Sequence, residues 1–313
     1  MGTRRRYQMA FGVTVALVAV VVALLPTALV SMVDDLRGQG VSAVYDLFTG
    51  TDINADQTFA ANAAFVNLTV MNLDETQGIA TLIVSGHRVC SVECLPLTGT
   101  FFSLGSDAAQ RRGLPPSATV SVPGKSGAYT FTIELPVLGA PQRYPFDRYT
   151  LLLGLVMSVT LADGTERVIT SPTLVQDQAS LTLEDRVARL SMAPPVPIDP
   201  ASVRATNDPV DFLIVDRLQW ERPYHLRIVT VLLVILISAS GIFALGLRSL
   251  HELVLGIGGI ILGIWGVRSV VVQTPLPDVT LIDLILAFVI LVLLLGLSIR
   301  AARYFHVQSR VSE

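Results

Sequence analysis

The two cysteines of the chain, Cys90 and Cys94, stand four residues apart, with His87 three residues ahead of them. Two thiolates and an imidazole at this spacing suit copper or zinc, but a zinc site needs a fourth ligand, and the adjacent Glu93 lies on too short a stretch to wrap one ion. The other histidines, His225, His251 and His306, fall outside the globular block that carries the cysteines. In an oxidising compartment two cysteines this close form a short-loop disulfide. A Cys90–Cys94 disulfide is therefore the expectation, with free thiols and a metal site as its alternatives.

Other chemistry is scarce. With so few histidines, no nucleophile can be paired with a base in a Ser/His/Asp or Cys/His arrangement. The acidic pairs Asp34-Asp35, Asp74-Glu75 and Glu184-Asp185 read as solvated turns or strand ends. Gly256-Ile-Gly-Gly259 lies inside an apolar run, where a phosphate loop makes no sense. The chain thus reads as non-enzymatic and needing no cofactor. A formal charge of -3 and the absence of a Lys/Arg-rich run with interleaved aromatics argue against nucleic acid as a partner; Lys125 is the only lysine.

The elements that carry these residues are unusual. Only 15% of residues are charged and the mean hydropathy is +0.60, values of an integral membrane protein. Four apolar runs, at residues 9–33, 225–247, 253–272 and 279–299, are each long enough to cross a hydrocarbon core of about 30 Å as a helix. The first follows Arg4-Arg5-Arg6 but is too long for a signal-peptide core and lacks a small-residue cleavage site, so it reads as an uncleaved anchor. Arg4 to Arg6 before the first span and Arg300, Arg303 and Arg310 after the last place both termini in the cytoplasm. Residues 1–8 and 300–313 then form cytoplasmic tails, 248–252 a cytoplasmic turn and 273–278 an outer turn, with block 34–224 outside the plasma membrane.

Within that block, apolar and polar residues alternate at Phe65–Asn72, Ile79–Val84, Ala128–Leu135 and Tyr149–Leu155, with further strands at Arg167–Thr170, Ser180–Leu190 and Val210–Leu218. Turn chemistry at Leu114–Ser117, Pro123–Gly127 and Ala162–Thr165 separates them. Strands of this length and spacing predict an extracytoplasmic antiparallel β-sandwich on four transmembrane helices, an α+β membrane protein. Proline-dense Pro194–Pro200 predicts an extended loop with few strand hydrogen bonds.

Three further features stand out. In Tyr144-Pro-Phe-Asp-Arg-Tyr149, Pro145 restricts Tyr144 and Asp147 can accept turn N–H groups; this is a structural corner or, alternatively, a loop coupling the domain to the helices. Gly256, Gly259, Gly263 and Gly266 recur at steps of three and four along the third span, a face suited to close helix packing within the chain or between copies. Arg268 and Asp283 stand at similar depth, roughly 6–8 Å inside the outer ends of the third and fourth spans at about 1.5 Å per residue. Charges there are costly unless paired, so an Arg268–Asp283 ion pair is expected, with snorkelling of Arg268 as the alternative.

Tyr144–Tyr149, Gly263-Ile-Trp-Gly-Val-Arg-Ser269 and the one-plus-three span layout resemble an uncharacterised actinobacterial membrane family, domain-of-unknown-function family 4436. That resemblance implies location and architecture, not a reaction. Pro145-Phe146-Asp147 is also similar to a turn in the outer sandwich of pentameric ligand-gated channels, and Arg222-Pro-Tyr-His-Leu-Arg227 to the basic opening of their first membrane helix. This likeness implies a domain–membrane joint at Tyr144, Pro145, Phe146, Asp147, Arg222 and Arg227. The chain differs from those channels in its preceding anchor, its three following spans and its glycine-rich third span. The expected role is a binding, sensing or assembly component of the cell envelope, with the lipid bilayer, an envelope protein or a second copy as partner; a channel or transporter subunit is the alternative.

Overall fold

The structure is a computed structural model that describes residues 12, 15–17, 19–30, 33, 43–53, 64–90, 94–105, 116–169, 179–203, 211–246, 250–271 and 279–311. The tail 1–8 and the outer turn 273–278 lie outside these residues. The chain divides into a helical unit (1–37, 141–146 and 223–313) and a β unit (38–140 and 147–222).

The β unit holds two sheets. One has the order β1 (Val44–Asp46), β10 (Ala179–Asp185), β2 (Ala64–Asp74), β3 (Ile79–Arg88), β6 (Gly127–Pro136). The other runs β11 (Ser191–Pro197), β12 (Ile214–Glu221), β8 (Arg148–Thr160), β4 (Leu97–Ser103), β5 (Ser117–Val122), with β7 (Leu138–Gly139) and β9 (Glu166–Ile169) also paired to β8. One core joins the sheets: Leu68, Leu82, Leu135 and Leu183 from the first pack with Phe101, Leu153, Leu155, Leu218 and Trp220 from the second. Alternation explains the faces, since residues two apart on a strand point the same way. A β-sandwich-like body results.

Two expectations need correction. The body is not wholly antiparallel: β10 runs parallel to β2, from Ala179 opposite Ala64 to Asp185 opposite Val70. Side-chain alternation specifies which face is buried but is the same for either strand direction. Pro194–Pro197, expected as loop, belongs to β11 and pairs with β12 across a register shift between Ala193 and Val196. Proline is tolerated there because β11 is an edge strand that hydrogen-bonds on one side only.

In the helical unit, Val15–Val30 forms an apolar helical stretch, here α1. It is followed by α2 (Tyr224–Gly246), α3 (Leu250–Val271) and α4 (Leu281–Val311). Two stretches, Tyr224–Ala244 and Leu281–Tyr304, are long and apolar enough to cross a membrane; His251–Gly266 is a shorter apolar stretch. Helix α4 continues beyond Ile299 through the expected tail, because Ala301 and Ala302 among arginines favour helix and no Gly or Pro interrupts.

Helices α2, α3 and α4 pack pairwise. Leu253, Ile257 and Ile264 of α3 are buried against neighbours that include Leu286 and Leu293 of α4. The glycine stripe is not part of that packing: Gly259, Gly263 and Gly266 are exposed and have open space where a Cβ would stand, and Gly256 is half-buried. The expectation that these glycines pack within the chain is corrected accordingly. Gly256, Gly259 and Gly263 each lie one residue from the packed stripe Ile257, Ile260, Ile264, which turns them about 100° around the helix, and Gly266 lies two residues beyond Ile264.

A buried ion-pair network as the candidate functional site

Arg222 is the last residue of the β unit, directly before the segment that opens α2. It is nearly fully buried, as is its partner Asp147, the first residue of the β unit after 141–146. The Arg222 Nε lies 3.1 Å from both Asp147 carboxylate oxygens, and Nη2 lies 2.9 Å from Oδ2. Nη2 also donates to Glu75, which further accepts from the Tyr149 hydroxyl at 3.5 Å. One guanidinium thus spans two carboxylates, the fork geometry that makes arginine the residue for buried pairs.

Local structure positions each member. Glu75 sits on the β2–β3 turn, where the Asp74 carboxylate accepts the N–H groups of Thr76 (2.9 Å) and Gln77 (2.8 Å) and Gly78 supplies the positive φ of 65°. Tyr149 packs its ring over Gly139 of β7, where a Cβ would come within 2.2 Å of the ring. Asp147 enters β8 immediately before Arg148, which pairs with Glu221. Asp147 and Arg222 therefore flank a matched pair on neighbouring strands, and this register brings them together.

Electrostatics follow from the burial. Burial pushes the Glu75 carboxyl up, against the opposing pull of Arg222. The Tyr149 hydroxyl is raised by burial and by the carboxylates of Asp147 and Glu75. Burial works against the Arg222 cation, but the bonds to Asp147 and Glu75 outweigh it and raise the group. The cluster is built to hold charge in place rather than to move a proton at neutral pH.

The sequence named Asp147 and Arg222; it missed Glu75, taken for a solvated turn, and Tyr149, taken only for a strand start. Arg227 stands within the first turn and a half of α2, its backbone N–H directed at the Pro223 carbonyl at 3.4 Å. In the helical unit, Tyr144 is buried with Ile264, Ile282 and Leu286, and the Tyr144–Pro145 bond is cis. Phe146 is exposed, and its N–H reaches the Arg143 carbonyl at 2.8 Å. The segment 141–146 thus packs with the helices, while Asp147 next to it belongs to the β unit.

Arg268 and Asp283 are also brought together. Arg268 Nε donates to Asp283 Oδ1 at 2.5 Å and Nη2 to Oδ2 at 3.4 Å. Thr280, which the sequence reading passed over, supplies a capping box: its N–H and hydroxyl each donate to Asp283 at 2.9 Å, and the Asp283 N–H returns to the Thr280 oxygen at 3.4 Å. Asp283 is thereby fixed to the start of α4 before Arg268 reaches it. In a double-mutant cycle with Arg268→Ala and Asp283→Ala in bilayers, a coupling on the order of 1 kcal/mol is expected; strictly additive losses would exclude the pairing.

Cys90 and Cys94 form a disulfide with Cα atoms 5.5 Å apart. His87 stacks on Phe65, ring centroids 6.4 Å apart. Asp185, expected at a solvated turn or strand end, is the last residue of β10; it is half-buried, accepts the Trp220 indole N–H at 3.2 Å and has its carboxyl raised by that burial.

Asp216 is the other buried acid that sequence reading overlooked. It occupies the core face of β12 with Ile214, Leu218 and Trp220, fully buried, opposite Leu153 on β8 and Pro197 on β11. Neither carboxylate oxygen has a hydrogen-bond partner among the described residues. Burial, reinforced by the charge of Asp46, pushes this carboxyl up to about 7.

A search of curated proteins finds no match to the chain. Among family models, residues 113–207, a stretch that holds Tyr144–Tyr149 and strands β5 to β11 but neither Glu75 nor Arg222, match the one described as a domain of unknown function (DUF4436).

Proposed function

We propose that this protein is a non-enzymatic component of the cell envelope that holds its β unit outside the plasma membrane on four spans, with both termini cytoplasmic. There it binds, senses or helps to assemble an envelope partner. The observation that carries this reading is the placement of Asp147 and Arg222. Each stands where the chain passes between units, and they are locked to one another inside the β unit. Tyr144, three residues before Asp147, packs with α3 and α4. A force or ligand acting on the β strands therefore has two short covalent routes to the helices, through residues 144–147 and 222–224. Three apolar helical stretches besides α1 support the membrane setting.

A channel or transporter subunit is the second reading. It is favoured by the same ion pair, which joins the Pro145-Phe146-Asp147 turn to the arginine ahead of α2. One set of experiments tests and separates the two. A membrane-impermeant thiol reagent on intact cells should label Lys125→Cys and spare Arg310→Cys; the reverse pattern would contradict the topology. The full chain in planar bilayers should pass no current above the lipid background. Stable unitary currents would move the assignment to the second reading.

A further inference from the structure

Among the described residues, the four strands that end the two main strand orders are not equally protected. Strand β1 has only three residues, β11 carries Pro194, Pro195 and Pro197, and β5 has six residues bracketed by Pro116 and Pro123. Short strands and prolines are the usual means of blocking edge pairing. Strand β6 has neither: it is ten residues long with its single proline at the very end, and it pairs with β3 along its whole length on one side. On its other side no strand stands among the described residues. Ala128, Thr130, Thr132 and Glu134 are exposed, while Tyr129 and Phe131 are only half-buried.

We propose that β6 is a self-association edge, pairing antiparallel with β6 of a second copy about a two-fold axis at Phe131. A row of unpaired N–H and C=O groups is matched only by another extended strand. A two-fold interface additionally needs a self-complementary pattern. The sequence Ala128-Tyr-Thr-Phe-Thr-Ile-Glu134 supplies one. Centred on Phe131, it sets Thr130 opposite Thr132 on the outer face and Tyr129 opposite Ile133 on the core face. Phe131 meets its own copy there, extending the Tyr129–Phe131 contact, whose ring centroids are 6.0 Å apart. The strand's one charge, Glu134, falls opposite Ala128 and so avoids itself. An odd register would turn a core face outward, a centre at Thr132 would set Glu134 against Thr130, and a centre at Thr130 would set Gly127 against Ile133.

The test is the mass of the full chain in nanodiscs or detergent, by sedimentation over a range of concentrations. The wild type should dimerise. T130K/T132K places like charges directly opposite each other twice and should weaken association by about tenfold or more. T130K/T132E sets a lysine opposite a glutamate at the same two exposed positions and should restore it. Should the double lysine variant unfold, Phe131→Cys, which meets its own copy at the axis, should give a covalent dimer on mild oxidation. A monomeric wild type, a dimer indifferent to T130K/T132K, equal loss in both paired variants, or a folded Phe131→Cys variant that does not crosslink would overturn the proposal. Replacement of the second copy by another protein's strand would overturn it too.

Discussion

Arg222→Met is expected to cost about 3–5 kcal/mol of stability, the range for removing one member of a buried charge pair. Methionine fills much the same volume, so the loss comes from charge and not from a cavity. It leaves Asp147, with 0% of its surface exposed, buried without its guanidinium partner. Glu75 fares better, because it keeps the Tyr149 hydroxyl and its raised carboxyl takes up a proton more readily than an ordinary glutamate. Asp147 therefore carries most of the penalty. Denaturant or thermal unfolding of the full chain followed by tryptophan fluorescence reads the effect, since Trp220 lies on β12 two residues before Arg222. A loss below about 1 kcal/mol, the range of exposed pairs, would show that the network is solvated.

The second large effect is a pH dependence traced to Asp216. Its folded-state value of about 7 lies well above the ordinary aspartate value of 3.8. Between those limits the folded chain holds a proton that the unfolded chain has lost. Stability from this group is therefore fully present below about pH 4, falls as pH rises to about 7, and is flat above, for a total of roughly 4 kcal/mol. Asp216→Asn cannot ionise and should remove that part of the slope. At pH 8 it should also be more stable than the wild type by roughly 1–3 kcal/mol, the residue being the cost of a buried amide without partners. Glu75 and Asp185 are raised too and add slopes of the same sign. The decisive quantity is thus the difference between the two unfolding profiles from pH 4 to 8. Parallel profiles would mean that Asp216 is hydrated or paired in the folded chain.

Much of the fold was legible in the sequence. Strands β2, β3, β6, β8 and β12 and helices α2 to α4 declare themselves by alternation or by continuous apolar runs, because both patterns report burial directly. Strand direction left no trace, so the parallel β10–β2 pair was read as antiparallel. Strand β11 was hidden by its prolines, which say that hydrogen bonds are missing on one side but not that the other side is paired. The site shows the same division. Arg222 and Asp147 drew notice through their neighbours, the proline before α2 and the Tyr144-Pro145 turn. Glu75 looked like any acid on a turn, since only tertiary structure brings it to Arg222, 147 positions away. Asp216 could have been found: it has the parity of Leu218 and Trp220 on an otherwise inward face. The glycines of α3 were recognised as a stripe, but a stripe does not reveal which way it faces, and Gly259, Gly263 and Gly266 turned out to be open.

The most direct test of the joint is a double-mutant cycle on Asp147→Leu and Arg222→Met in the membrane-reconstituted full chain. A buried pair replaced by apolar groups on both sides is nearly neutral, whereas Arg222→Met strands Asp147 and Asp147→Leu leaves Arg222 with Glu75 alone. Arg222→Met should therefore lose about 3–5 kcal/mol, Asp147→Leu less, and the double variant well below their sum, for a coupling energy of at least about 2 kcal/mol. Losses that simply add would contradict the lock between Asp147 and Arg222, and with it the joint on which the functional reading rests.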